Sequence, residues 1–434
     1  MGKKKVLIVG SGPGGATVAK EMAQKGHQVA IFEWGKDNSS APGAFSSPFR
    51  FFGGIKNKSN AFLSTDGDPS IEIVRPITLG GATLVYGGVS WDPPFDLFKE
   101  KYGIDLKSEV ESIKQEIIVK PLDDSQMGPV GQLLKKSAVK LGLKWENIDR
   151  FFKAPEKFRQ TAYLFGDKTG ARWDARMWIK DAVANGAVLY NETYCEKLII
   201  KGGKATGVIA VDPKGRKENY FSDIIIVAAG GIGSPVLLQN SGIAAGKNIF
   251  VDPYVMATGY LDRKLMKSEV TRQSGVLIKE EGISLGDASI PSQAYKKLIM
   301  ANKKIDKFFK RSRSVSILVE IDDDIGGEIS ATGKIKKSLS ENDFQKLEKG
   351  KKIAEEILKT AGAKDIWFTR IAGVHPGGGC KIGSVVDENL STPVKNLYVC
   401  DASVLPEAFA IPPVMTILAL AKRLASHLEA QMIS

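Results

Sequence analysis

The sequence predicts an α/β protein: a doubly wound parallel sheet assembled from separated stretches of chain, with a second domain inserted between them. Three observations predict it. Short, largely apolar runs stand at Val6–Val9, Ile224–Ala228 and Asn396–Cys400, as expected of strands buried on both faces. The first two lead directly into a glycine-rich turn and then a helical stretch, the strand–turn–helix order of parallel units. The chain has 434 residues, 43% hydrophobic and 25% charged, enough for two or three domains with full cores. That composition excludes disordered, collagenous and disulfide-scaffold proteins. No apolar run approaches the roughly 18–20 residues needed to span a bilayer.

The first element is the strand Val6–Val9. It enters Gly10-Ser11-Gly12-Pro13-Gly14-Gly15, with Gly10, Gly12 and Gly15 in a G-x-G-x-x-G pattern. A helix over Ala16–Gln24 stops at Gly26, and a second strand, Val29–Phe32, ends at Glu33. Gly10 permits the tight turn, Gly12 lets backbone approach a pyrophosphate, and Gly15 lets helix and strand pack closely. The free N–H groups of the helix start would hold the phosphates. Glu33, 18 residues after Gly15, is placed to accept from an adenosine ribose. The reading is a Rossmann-like dinucleotide site, and at this point FAD and NAD are equally consistent with it.

A second glycine cluster follows at 75–88, with Gly80-Gly81 and Gly87-Gly88 seven residues apart; such pairs let backbone pass close to a flat or phosphorylated ligand. Residues 185–243 return to the parallel α/β texture. Ala187–Tyr190 reads as a strand, Tyr194–Ile200 and Lys204–Val211 as a hairpin around Gly202-Gly203, and Ile224–Ala228 as a buried strand. The last enters Ala229-Gly230-Gly231 and a helix with Pro235 expected in its first turn.

The middle differs in character. Lys296–Arg313 carries eight Lys or Arg against one acid, Asp306, with Leu298, Ile305, Phe308 and Phe309 near helical spacing. A solvated helix face is the favoured reading, and contact with a membrane surface the less favoured one. Val315–Ile321 reads as a strand. Asp322-Asp323-Asp324 opens like a calcium loop, but Gly333 stands where the twelfth-position Glu belongs, so a calcium site is rejected. Ser340 and Asp343 resemble a capping box opening a helix with Phe344, Leu347, Ala354, Ile357, Leu358 and Ala361 on one face, ended by Gly362.

Three cysteines at wide spacing, Cys195, Cys380 and Cys400, form neither a disulfide framework nor a zinc pattern. The run Val6–Val9 behind Lys3, Lys4 and Lys5 is too short for a signal h-region, so a cytoplasmic location is expected. A net charge of +12 favours anionic ligands or surfaces; no nucleic-acid motif accompanies it, so nucleic acid is not expected as a partner. Of three histidines, His27 falls in a turn far from the ligand end and His427 in the last helix. His375 stands in His375-Pro376-Gly377-Gly378-Gly379-Cys380, where glycines let a flat ligand approach an imidazole, and is the candidate general base. A final helix from about Val414 follows Pro412-Pro413.

Four motifs together resemble the glucose–methanol–choline (GMC) oxidoreductases. They are GSGPGG with Glu33; LGGATLVYGG at 79–88; GGIGSPVLLQNSGI at 230–243; and HPGGGCKIG followed by NLYVCDASVLP and PPVMTILALA within 375–421. The resemblance implies FAD as the cofactor and a small-molecule alcohol as the substrate. It implies that Gly10, Gly12, Pro13, Gly14, Gly15, Glu33 and Trp34 hold the ADP part and that Cys195 meets adenine through its backbone. Gly80, Gly81, Thr83 and Tyr86 would run beside the flavin and pyrophosphate, with Ala229 and Gly230 on the opposite wall. Asp401 and Ala402 would lie near the ribityl chain, and Pro413, Val414 and Met415 would present the last helix to the flavin's C2 carbonyl. His375 would take the alcohol proton while hydride passes to flavin N5. No metal is implied.

By the same resemblance, residues 1–99, 185–250 and 366–434 form the FAD-binding domain, and 100–184 and 251–365 an α+β antiparallel-sheet substrate domain. The expected activity is dehydrogenation of a CH–OH carbon. In the absence of a second dinucleotide fingerprint, electrons would pass to an acceptor other than nicotinamide, such as a quinone or a small acidic electron carrier, with oxygen also open. One departure stands out. Pro412 occupies the place of the family's second active-site His or Asn, which keeps open a C–C bond, lyase or isomerase chemistry, or an electron-transfer flavoprotein.

Overall fold

The computed structural model describes residues 3–38, 62–160, 167, 169–265 and 270–433. A five-stranded parallel sheet runs in the order Leu397–Val399, Ile224–Val227, Lys5–Val9, Gln28–Phe32, Val188–Tyr190. Its central strands are apolar on both faces because both are covered: Val6, Leu7 and Ile8 are buried, as are Ile225, Ile226 and Val227. The first helix, Pro13–Gln24, and the last, Val414–Ile433, pack on each other beside the sheet. Pro13 at the first helical position suits the helix start, where its missing N–H has no intrahelical partner to lose. The expected hairpin is present as Tyr194–Lys201 and Lys204–Val211. It gains a third strand, Lys217–Phe221, whose polar sequence hid it.

The second layer is a nine-stranded, mainly antiparallel sheet. Its centre is Pro253–Tyr260, Ser314–Ile321, Ile283–Ala288 and Ser274–Ile278. The helix Glu341–Thr360 lies across it and buries Leu347, Ala354, Ile357 and Leu358. Gly350 is the point of closest approach, since a Cβ there would sit 2.4 Å from Val319 Cγ1. The capping box forms as read: the Asp343 N–H donates to Ser340 Oγ at 3.1 Å and the Ser340 N–H to Asp343 Oδ2 at 2.8 Å. Phe344, expected on the apolar face, is 36% exposed. It follows Asp343, whose carboxylate is turned inward by the cap, and the first turn orients around that bond.

Three expectations need correction. The sheets do not follow the sequence division into domains. The second sheet also takes Phe62–Ser64, Glu72–Val74 and Ala372–Gly373, whereas Lys107–Glu116 and Arg176–Ala184 bury Val110, Ile113, Trp178 and Ile179 in the core of the parallel sheet. Backbone pairing of short strands leaves no composition signal. Pro235 lies inside its helix, which begins earlier, at Gly230. That start is possible because Gly230 takes φ 84° and because Asp401 accepts its N–H from a distant segment. The basic stretch is not one helix: it is helical over Ser292–Ala301 and then breaks into short turns. The three consecutive aspartates turn to different partners: Asp322 to Lys346, Asp323 to Lys337, and Asp324 to Ser340.

Candidate active site

A cavity of about 1140 Å³ opens at the C-terminal ends of the parallel strands and extends to the second sheet, the position ligands take in open α/β sheets. It exceeds the ~300–1,000 Å³ of common small-molecule sites, so it suits a large ligand with a smaller one beside it. Its nucleotide end follows from local sequence. Gly10 adopts φ 104°, and a Cβ there would meet the Ala228 carbonyl oxygen at 2.1 Å. A Cβ on Gly14 would meet the Cys400 carbonyl oxygen at 1.9 Å, whereas Gly12 faces open space and lines the cavity. Glu33 Oε2 accepts from Ser11 N–H at 3.1 Å and Ser11 Oγ at 2.6 Å, and Oε1 from Gly35 N–H at 2.6 Å. A carboxylate has about four acceptor positions, so one stays available toward the cavity. Burial pushes the Glu33 pKa up, against those three bonds.

The far end holds His375. Its Nδ1 lies 3.1 Å from Asp252 Oδ2 and 2.9 Å from Glu320 Oε1. The Asp252 contact is a hydrogen bond; the Glu320 oxygen is close but off-line and lacks a hydrogen-bond partner. Both acids are buried, at 1% exposure each. With Nδ1 engaged, Nε2 is the nitrogen left for a ligand, and His375 lines the cavity. Glu320 is also paired with Arg272, another lining residue. Burial alone lowers the pKa of an imidazole. Here Glu320 and Asp252 outweigh it, and the pKa of His375 is raised to about 9. Burial likewise opposes the charge of Glu320, but Arg272 and His375 hold its pKa below the ordinary range. Burial pushes the Asp252 pKa up, with His375 opposing. Asp252 and Arg272 both hold left-handed backbone, φ 40° and 51°, a conformation that costs a residue with a side chain ~1–3 kcal/mol. Two residues of the His375 cluster thus carry strained backbone.

Comparison with known proteins now bears on this geometry. Residues 6–255 match the N-terminal family model of the GMC oxidoreductases and residues 326–421 the C-terminal one. This chain belongs to the GMC oxidoreductase family. It is 29% identical over 424 residues to an uncharacterized protein of Methanocaldococcus jannaschii, covering 96% of this chain and 97% of that one. It is 23% identical over 513 residues to a long-chain-alcohol oxidase of Arabidopsis thaliana, covering 98% and 68%. Among solved structures, pyridoxine 4-oxidase from Mesorbium loti superposes with TM-score 0.75 at 15% identity, over 99% of both chains. Formate oxidase of Aspergillus oryzae gives 0.76 at 16% identity, over 99% and 98%. These two share the fold with this GMC oxidoreductase.

The protein is therefore a flavoprotein oxidoreductase with FAD as its cofactor, and the cavity fits that group. The open face at Gly12, the spare acceptor on Glu33 and the long, partly apolar cavity match a dinucleotide joined to a flat ring. The last helix adds donors: its first intrahelical bond at this end runs from Ile417 N–H to the Pro413 carbonyl, so the N–H groups of Val414 and Met415 precede the ladder. Asp401 Oδ2 is bound by Gly230 N–H at 2.8 Å and by Ser234 Oγ, and Oδ1 by Ser403 N–H at 2.8 Å. It pins the start of the helix Gly230–Asn240 to the segment 401–403 at the cavity.

Of the residues singled out from sequence, the structure gathers Gly10, Gly12, Pro13, Gly14, Glu33, Trp34, Gly81, Tyr86, Cys195, Ala229, Gly230, His375, Asp401, Ala402, Pro413 and Val414 on the cavity wall. Gly15, Gly80, Thr83 and Met415 do not line it. Gly15 packs under the turn, where a Cβ would strike the Gly10 carbonyl oxygen at 2.1 Å. Gly80 N–H donates to Ser11 Oγ at 3.0 Å, and Thr83 Oγ1 donates to the Gly80 carbonyl at 2.6 Å; the pair locks the loop. The Met415 side chain is buried in the core. Pro412 also lines the cavity. His27 lies away from it, 2.5 Å from Glu429.

Sequence reasoning missed Asp252, Arg272 and Glu320. Only Glu320 left a signal: it is the single charge in the apolar strand Ser314–Ile321, and an acid in a buried strand demands a partner.

Proposed function

We propose that this oxidoreductase dehydrogenates a small-molecule alcohol at its CH–OH carbon, with His375 receiving the hydroxyl proton. One observation carries the reading. His375 has Nδ1 tied to a buried carboxylate while Nε2 is free toward the cavity, the arrangement of a base whose ring is held in one orientation. When bound, FAD supplies the acceptor for the hydride that leaves the carbon. The chain does the rest. Asp252 fixes the ring, Glu320 stabilises the imidazolium formed when the proton arrives, and Arg272 keeps Glu320 ionised. Pro412, also on the cavity wall, adds no donor or acceptor, since a proline side chain has none. Electrons then pass to a non-nicotinamide acceptor, a quinone or a small acidic carrier being compatible with the net charge.

The raised pKa shapes the mechanism. At pH 7 His375 holds a proton in the free enzyme, and a base must lose it first. Activity therefore rises with pH toward about 9. The test is the flavin spectrum of the purified protein, recorded anaerobically with a panel of primary and secondary alcohols. Bleaching by one class, lost in His375→Gln with flavin retained, supports the reading. Flavin that stays oxidised with every alcohol refutes it, and turns attention to chemistry in which protonated His375 serves as an acid. Unchanged turnover in flavin-loaded His375→Gln would instead indicate an electron-transfer role.

A further inference from the structure

The basic stretch 296–313 is not the solvated helix its spacing suggests. The helix Ser292–Ala301 ends there, and Lys303 at φ 55° turns the chain. That turn sorts the apolar side chains in two. Leu298 and Phe308 fold inward onto Tyr260, Tyr295 and Trp367. Met300, Ile305 and Phe309 are left outward, at 60%, 64% and 88% exposure.

The field around them is one-sided. Eight cations and one acid lie between Lys296 and Arg313. The acid, Asp306, sits 3.0 Å from Lys307, which also meets Asp365 at 2.9 Å. Lys304 and Lys310 lean over Trp367 and Tyr260, and Arg311 and Arg313 hold the backbone carbonyls of Ile290 and Asp262. Nearby Asp262 is paired with Lys364. The face thus presents net positive charge with three protruding apolar side chains.

We propose that this face docks on an anionic lipid surface, with Phe309 and Ile305 entering the headgroup–acyl boundary and the lysines meeting lipid phosphates. Lysine is depleted at protein–protein interface cores, whereas membrane-surface segments combine Lys and Arg with Phe and Leu. A single aromatic standing clear of the surface needs a matched pocket on a protein partner; lipid adapts to it. No described helix is long and apolar enough to cross a membrane, so the contact is at the surface. None of these residues lines the active-site cavity, and the inference stands apart from the choice of substrate.

The test is flotation of the FAD-loaded protein with phosphatidylcholine vesicles, with and without phosphatidylglycerol, at low and high salt. Binding is expected only with phosphatidylglycerol, and weaker in high salt. The pair Phe309→Ser with Ile305→Ser should weaken it about tenfold or more, and Lys303→Gln with Lys310→Gln should weaken it as well. Turnover in solution should be unchanged in both. Phe309→Cys carrying a polarity-sensitive dye reads insertion directly, because the three native cysteines are buried; brightening on phosphatidylglycerol vesicles is expected. No binding at low salt overturns the proposal. So does binding indifferent to the Phe309 and Ile305 changes, or an unchanged dye signal. Equal affinity for soluble polyglutamate would assign the face to an acidic protein instead.

Discussion

Replacing Glu320 with Gln keeps shape and removes one charge beside His375. The pKa of His375 is raised from 6.5 to about 9 despite its burial, so the surrounding charges supply at least that difference, about 3 kcal/mol at ~1.36 kcal/mol per pH unit. Glu320 is the strongest of them, and an opposite charge at this range moves a pKa by ~1–3 units. Its loss also leaves Arg272 charged and unpaired nearby, which pushes the same way. We expect the His375 pKa in Glu320→Gln to fall by at least about one unit. At pH 7 a pKa of about 9 leaves only ~1% of the imidazole neutral, so the variant raises the competent fraction severalfold while weakening the base. The assay is heteronuclear NMR of histidine-labelled protein across pH. Only three histidines exist, so the His375 signals are assigned by its loss in His375→Gln. A pH profile of kcat/KM should show its rising limb displaced to lower pH. A His375 titration in Glu320→Gln that coincides with wild type would refute the electrostatic account of the site.

Other consequences follow from the same contacts. Folded His375 keeps a proton that an unfolded imidazole releases, so its contribution to stability is fully present below pH 6.5 and is lost as pH rises through about 9; the raised Asp252 acts in the same direction. Denaturant midpoints that stay flat over that interval would contradict it. Gly231→Ala places a Cβ 1.7 Å from the Pro376 carbonyl oxygen, costing ~1–3 kcal/mol and displacing the segment that carries His375, so the variant should keep flavin yet shift the His375 titration. Glu33→Gln removes the acceptor that organises Ser11 and Gly35, and should weaken FAD binding about tenfold, read by the release of free-flavin fluorescence. Ser340→Ala removes a helix cap and should cost ~1 kcal/mol, visible as a lower thermal midpoint with unaltered flavin spectra.

Much of this protein was legible in its residue order, because the nucleotide half is built from local rules. A buried strand, a glycine turn and a helix start are neighbours in sequence, and Gly10, Gly12 and Gly15 have roles that follow from having no Cβ. His375 was legible because its glycine-rich surroundings are contiguous with it. Tertiary structure alone decided the chemistry around that imidazole. Asp252, Arg272 and Glu320 come from three separated segments, and strand pairing across the second sheet brings them together. No spacing encodes that meeting, since register depends on partners chosen during folding. The same holds at 296–313. Leu298, Ile305, Phe308 and Phe309 stand near helical spacing, but the chain turns at Lys303 and breaks into short turns, leaving Phe308 against the core and Phe309 in solvent. Local sequence determined where backbone would bend close to a cofactor; long-range packing determined which charges stand beside the proton.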